Sequence, residues 1–535
     1  MRSSLYRSCQ LGITVVACAT LIYNVFALQY RFGGYDLSPL IDAGWRVSSG
    51  QIPNRDFICT FPPIVDLAAA EAFRAFGVRW VALGITSSAI CMILVLLGLR
   101  IVSVLRAVLG DKPALFLSLT YSALYLMPFL VVGHLWHVSL TEGFILYALL
   151  ATYALIVVDP ASRSQRIELL FHLWLAESLL LLGKPNTAIP AIFLCVAALL
   201  IARLPVWFPL LTTLFALIGD SLVLMRVHTS LISTFQVYSH LTSRFAPREF
   251  FDAVFQDPTV AGVLELLIVY STVLPVLWLV LRVTLRRPIQ LRNDPVAVLA
   301  LGACVISLIG FGTNVVFKIV DAPCMLMGFA LLSLKAEGDP SIADSAVKVW
   351  RGSFAYITTT LFILAVFLSA TRAFMQLPSV WGYDTCGVPI VDDHQDAFFG
   401  DFHCCKPFFS ILAESDVALA EHPGKSVFFG PRMEFLYARD HIASPRGLPL
   451  WWHPGSSYST SSESDVVRAW QSDRFDRLVF LHHDRTRLPT ALLTIIARDY
   501  ILLPGPSLGR LSADEEQFDA HIDLYVRRDS QDIDK

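Results

Sequence analysis

The chain has 535 residues, 55% of them hydrophobic and 16% charged, with a formal net charge of −3 and a mean hydropathy of +0.59. Soluble domains carry about 25% charged residues, so a large soluble protein is excluded, as are collagen-like, disordered and small disulfide-scaffold classes. A net charge near zero gives no basic field for nucleic acid, and none of the 10 cysteines forms a CxxC pair of the zinc or thioredoxin kind. What remains is a polytopic α-helical membrane protein.

A membrane-crossing helix needs about 20 apolar residues. About eleven stretches qualify, near 9–28, 78–98, 114–132, 139–158, 167–183, 185–202, 205–225, 260–281, 295–312, 315–334 and 354–374. The first has basic flanks, Arg2 and Arg7, but no small-residue cleavage site follows it, so it is read as a retained helix. Lysine and arginine in short loops set the orientation. Arg100, Arg106 and Lys112, then Arg163 and Arg166, then Arg282, Arg286, Arg287 and Arg292, then Lys335, Lys348 and Arg351 mark the cytoplasmic side. The N-terminus is then cytoplasmic and the C-terminus outside, although Arg31, Arg46 and Arg55 run against the rule in the first outer loop.

The outer face receives the loop 29–77, the loop 226–259 and the tail, so the expected domains are a membrane domain over 1–375 and an extracytoplasmic domain over 376–535. In the tail, Ser426–Phe429, Leu478–Leu481, Tyr500–Leu503 and Ile522–Val526 read as strands. Glu463–Gln471 and Leu488–Arg498 read as helices, which gives a small α/β domain. No glycine-rich phosphate loop sits at a strand–helix junction, so no nucleotide site is assigned. An oxidising outer compartment would permit a disulfide between Cys386 and Cys404 or Cys405.

The first outer loop carries the densest chemistry. Asp36 lies just past the first span. Segment 37–49 is expected to form a helix on the membrane surface, broken by Gly50 and Pro53. Pro62-Pro63 stops the chain again, and Val65–Phe76, with Asp66, Glu71 and Arg74, suits an amphipathic interfacial helix. A carboxylate at the membrane surface, its pKa raised by desolvation, can act as a general base on a hydroxyl. The plainer role for Asp36 is to cap the helix that follows. Asp56 is a second candidate, for acceptor positioning or an ion, against pairing with Arg55 or capping a turn.

Asp36, Ala43, Gly50, Pro53, Asp56, Pro62 and Pro63 together resemble the first-loop motif of the GT-C membrane glycosyltransferases. The branch is that of protein mannosyltransferases, bacterial aminoarabinose transferases and the lipopolysaccharide sugar transferases of rhizobia. The resemblance implies a hexosyl- or pentosyltransferase of the bacterial inner membrane and cell envelope. It would use a polyprenyl-phosphate sugar, usually with inversion, and a glycan, lipid or protein acceptor. It maps the catalytic base onto Asp36. Many members have two adjacent acids there, whereas Leu37 follows Asp36 here, which leaves a divalent cation open. Phe428-Phe429-Gly430 and Leu436-Tyr437-Ala438-Arg439 resemble outer domains of some members, so the tail is expected to cover the site and help select the acceptor.

A lipid-phosphate donor needs cations at the headgroup plane. Lys184, in the turn Gly183-Lys184-Pro185-Asn186, resembles the phosphate ligand that the family places at this outer turn. A snorkelling lysine at a helix end is the alternative. Arg244 and Arg248 could clamp phosphate or be surface charges. Lys318 is costly inside a span and could pair with Asp321. His134 and His137 flank Trp136 as candidate acceptor or sugar contacts, or as part of an interfacial aromatic belt. No third ligand joins them, so no metal site is assigned. Glu142 and Glu177 lie within spans without an evident partner. The rival functions are a lipid or glycan transporter or flippase, which predicts repeated halves that are not visible here, and a non-catalytic envelope assembly protein.

Overall fold

The structure is a computed structural model. It describes residues 2–30, 32, 34–132, 135–158, 163–239, 294–313, 323–328, 330–332, 334, 392–404, 406–421, 426–453, 455, 457–481, 488–503 and 522–530. The chain divides into two compact units. The first holds Met1–Asn24, Ser87–Leu222 and Arg244–Ala370; the second holds Val25–Thr86, Val223–Ser243 and Thr371–Lys535.

The first unit is helical. Its elements are most of α1 (Arg2–Ala27) and of α4 (Trp80–Leu109), then α5 (Asp111–Val132), α6 (His137–Val157), α7 (Arg163–Leu181), α8 (Pro185–Ile201) and α9 (Trp207–Met225). Helix α11 (Pro295–Thr313) also belongs here, after the short α10 (Leu231–Ser239) of the second unit. Each lies on a stretch that hydropathy selects, and four described helices, within α1, α4, α6 and α9, are long and apolar enough to cross a membrane. The stretches near 260–281 and 354–374 lie outside the described residues, as does much of 315–334. Helix α6 is buried from Val138 to Leu155, as befits a helix apolar on every side. Helix α9 instead exposes Trp207, Leu210, Leu214, Phe215, Ile218 and Leu222, a surface suited to lipid.

Two of the acids inside this bundle acquire partners from distant helices. Cys324 donates its thiol to Glu142 at 2.6 Å. Ser178 donates to Asp220. These pairings explain how carboxyl groups sit where water is excluded.

The second unit combines the first loop with the tail. Helices α2 (Gly34–Ser48) and α3 (Pro63–Phe76) come from the loop. Gly44 makes their close packing feasible, because a β-carbon there would lie 2.6 Å from that of Ala69. From the tail come β1 (Asp392–Asp396), β2 (Gly400–Cys404), α12 (Lys406–Glu421), β3 (Val427–Phe429), α13 (Phe435–Arg439), α14 (Glu463–Asp473), β4 (Arg477–Leu481), α15 (Thr490–Asp499), β5 (Tyr500–Leu503) and β6 (Ile522–Arg527). The strands from β3 onward form one sheet in the order β3-β4-β6-β5. Strand β3 runs parallel to β4, with Val427 opposite Arg477, and β6 is antiparallel to both its neighbours. Phe428, Trp452, Trp470, Phe475, Leu478 and Tyr500 lie in the core of this layer. β1 and β2 form a separate antiparallel hairpin.

The loop is threaded into this domain. Ile58 donates to the carbonyl of Leu448 at 3.1 Å and accepts from Leu450 at 3.1 Å, and its side chain packs on the sheet's core. Helix α2 is therefore enclosed by protein, with Leu37, Ser38, Leu40, Ile41, Asp42, Ala43, Arg46 and Val47 all buried. The expected helix is present, and its buried face is covered by protein. Its polar residues face partners in the tail that no local pattern reveals.

Arg46 is the strongest of these links. It pairs with Asp42 at 2.7 Å, one turn earlier, with side-chain exposures of 3% and 0%. Its guanidinium also donates to the carbonyl of Pro445 and sits 5.2 Å from the Phe57 ring centre. Ser444 completes the arrangement by donating to Asp42 at 2.5 Å. Removing one member of a buried pair leaves the other charge uncompensated. Arg46→Ala is expected to destabilise the protein by about 3–5 kcal/mol, measured as a lower denaturant midpoint in detergent. Arg46→Lys should rescue little, because lysine lacks the planar fork that serves Asp42 and Pro445 together.

Candidate functional site

Helix α2 begins before Asp36, so Asp36 lies inside its first turn and not in the residue that precedes it. A carboxylate in a first turn is favoured by the helix dipole. Asp36 is placed by its backbone; its side chain lies outside the described residues. Two features fix the surroundings of this turn. Phe32, four residues earlier, sits among the rings of Trp80, Phe399, Phe402, Phe408 and Phe435, at centroid distances of 4.9–6.4 Å. Ser38, two residues later, donates to Glu434 at 2.6 Å and accepts from the Phe435 N–H at 3.0 Å. Trp45 donates to Ile442 and Gln51 to Ser444, so the clamp continues along α2 and just past its end.

Asp56 takes the local roles. Arg55 donates to both its carboxylate oxygens at 3.0 Å, and the Ile52 N–H donates at 2.9 Å. The hydrogen bonds from Arg55 hold its carboxyl below the usual range. Its backbone carbonyl accepts from Gly447 at 2.6 Å, which ties this turn to the tail.

Asp66 is a feature the sequence marked only as part of an amphipathic face. It is 2% exposed in the first turn of α3, and the Cys59 thiol donates to it at 2.7 Å. Burial pushes its pKa up to about 8 and raises that of Cys59 well above the usual thiol value. Cys59 is therefore a buried free thiol. The expected disulfide of Cys386 with Cys404 or Cys405 falls on side chains outside the described residues.

Lys184 lies in the turn before α8. Its backbone N–H donates to the Thr141 hydroxyl at 2.9 Å, and that hydroxyl donates to the His137 carbonyl at 2.7 Å. The first turn of α6 and the turn between α7 and α8 are thus joined through Thr141. Lys184 and His137, far apart in sequence, come close enough to interact electrostatically. Gly183 fits against the same hydroxyl, where a β-carbon would lie 3.2 Å away. His134, Arg244, Arg248 and Lys318 lie outside the described residues. Among the described residues, no three His, Cys, Asp or Glu side chains converge in a way that would hold a metal ion.

The chain has the GT-C membrane fold, shown by its likeness to solved structures. The enzyme ArnT from Cupriavidus metallidurans in the apo state superposes with a TM-score of 0.54 at 14% identity, covering 96% of this chain and 98% of that one. ArnT from the same organism bound to undecaprenyl phosphate superposes over the same shares, with a TM-score of 0.50 and 14% identity. No family model and no curated protein sequence matches the chain.

The buried acid of α3 gives a pH signature. Asp66 is protonated in the folded protein up to about pH 8, whereas the same group ionises near its ordinary value of 3.8 when unfolded. Between these limits the folded state binds the extra proton, so this group's contribution to stability falls as pH rises. Asp66→Asn, a neutral isostere, is expected to raise the apparent unfolding temperature at pH 8 and leave it nearly unchanged at pH 4, checked by thermal scans across that range.

Proposed function

We propose that the protein is a glycosyltransferase that moves a sugar from a polyprenyl-phosphate carrier to an acceptor hydroxyl, on the outer face of the bacterial inner membrane. The observation that carries this reading is the likeness, over 96% of the chain, to ArnT, one structure of which holds undecaprenyl phosphate. The first-loop motif supports it from the sequence side.

Asp36 is the general base. It takes the proton of the acceptor hydroxyl as that oxygen bonds the anomeric carbon of the sugar. The bond from that carbon to the phosphate oxygen breaks, and its electron pair leaves with the polyprenyl phosphate. A cation stabilises a leaving phosphate best when held in place before the reaction. Lys184, whose backbone is fixed by Thr141, supplies that charge, joined by Arg244, Arg248 or Lys318. His134 and His137 are the sugar or acceptor contacts, and His137 interacts electrostatically with Lys184. Asp56 keeps the loop that follows α2 in register with the tail through Arg55, Ile52 and Gly447.

The test follows the host's polyprenyl-phosphate sugars in membranes with matched expression. General-base catalysis contributes about 10²–10⁴ in rate. Asp36→Asn is therefore expected to lower turnover by at least about a hundredfold, and Lys184→Ala to raise the donor concentration needed for half-maximal rate. Wild-type turnover by Asp36→Asn would remove Asp36 from the mechanism. Absence of turnover by the wild type, with acceptor-containing membranes supplied, would count against a transferase.

A further inference from the structure

We propose that Glu434, in the tail, is a positioning residue for Asp36 that acts through Ser38. The inference rests on the reading of Asp36 as base and adds to it the part that holds the base still.

The argument starts from a defect in α2. Pro39 lies inside the helix. A proline has no N–H, so it cannot donate the bond that would reach the carbonyl of Tyr35, one turn back. The turn carrying Asp36 is one backbone hydrogen bond short at the point where helices fray most readily. Glu434 meets this weakness from outside. Its carboxylate accepts from Ser38 at 2.6 Å, and the next residue, Phe435, donates its N–H to the same hydroxyl at 3.0 Å. Both partners are enclosed, Ser38 at 0% and Glu434 at 3% exposure, so water cannot replace the bond.

The anchor is itself braced. Phe435 stacks against Phe408 and contacts Phe32, which precedes Asp36 in the chain. The turn is therefore gripped on both sides of Asp36, at residues 32 and 38, by neighbouring parts of one tail segment. Ser38 lies about 200° around the helix from Asp36. Glu434 thus fixes the helix from the face that carries Ser38. A base displaced by about 1 Å can lose a hundredfold in rate, and this arrangement limits such displacement.

The experiment compares wild type, Asp36→Asn, Ser38→Ala, Glu434→Ala and Glu434→Gln at matched expression. The donor probe is the host's own polyprenyl-phosphate sugar pool, added as lipid extract at several concentrations. Amide hydrogen exchange over residues 35–41 is followed in parallel. Glu434→Ala and Ser38→Ala are expected to lower maximal turnover by about tenfold or more, with the half-saturating donor concentration unchanged. Glu434→Gln keeps an oxygen for Ser38 and should recover most of the rate. Exchange over 35–41 should quicken in Glu434→Ala and not in Glu434→Gln. Should Glu434→Ala fail to accumulate, Ser38→Ala removes the same bond from the other side. Full turnover by Glu434→Ala beside an inactive Asp36→Asn would overturn the inference alone. Equal losses in the Ala and Gln variants would overturn it too, because charge and not the bond to Ser38 would then matter. If Asp36→Asn turns over like the wild type, the base assignment fails instead, and unchanged exchange in Glu434→Ala would remove the anchor as well.

Discussion

Arg46 places its guanidinium in an interior that water does not reach, and the polar groups around it are arranged to meet it. Asp42 neutralises it, Ser444 hydrogen-bonds the acid, and the Pro445 carbonyl takes another guanidinium proton. A buried pair is weak evidence for stability but strongly specifies one arrangement when its partners come from separate segments. Here the helix contributes both charges and the tail contributes the groups that satisfy them. Helix α2 can therefore sit in one register against residues 434–445. Trp45, Gln51 and Ser38 follow the same register, each with a partner in that stretch.

The consequence for chemistry is that the second unit is built around the loop. Phe32 and Ile58, on either side of α2, are both anchored in the tail, one in an aromatic cluster and the other in the sheet's core. A loop between membrane helices would ordinarily be the mobile part of such a protein. This one has a domain folded onto it, which suits a site that must hold a carboxylate in one orientation. The first unit shows the same economy at Lys184, where one threonine hydroxyl joins two turns.

Much of this was legible in the sequence, where the signal was local. Hydropathy located the described helices of the first unit, and short apolar runs located β5 at Tyr500–Leu503 and the other three strands of its sheet to within a residue at either end. The α2 break at Gly50 was readable from turn chemistry, whereas α3, expected from Val65, begins at Pro63. The hairpin of β1 and β2 was not. Asp392–Asp396 is a wholly polar run, held as a strand by its ladder and by Arg439 on Asp396. The start of α2 was placed late, at residue 37 with Asp36 as its cap, whereas the helix begins at Gly34. The Asp42–Arg46 pair had a visible signal, an acid and a base four residues apart. Glu434, Ser444 and Pro445 had none, since their partners lie about four hundred residues away.

That separation also sets a timetable. Asp42 emerges from the ribosome 402 residues before Ser444. At about 5–20 residues per second, the wait is on the order of 20–80 seconds. Through that interval the loop has its charges, its serine and its interrupted helix, and the groups that receive them do not yet exist. A nascent chain in this state carries an unfinished α2 while its remaining helices are still being made. Ribosome stalling or premature termination anywhere before residue 434 leaves α2 permanently without its partners. The last fifth of the sequence thus decides whether its first tenth is ever folded, and partial products should be open to proteolysis near their N-terminal end.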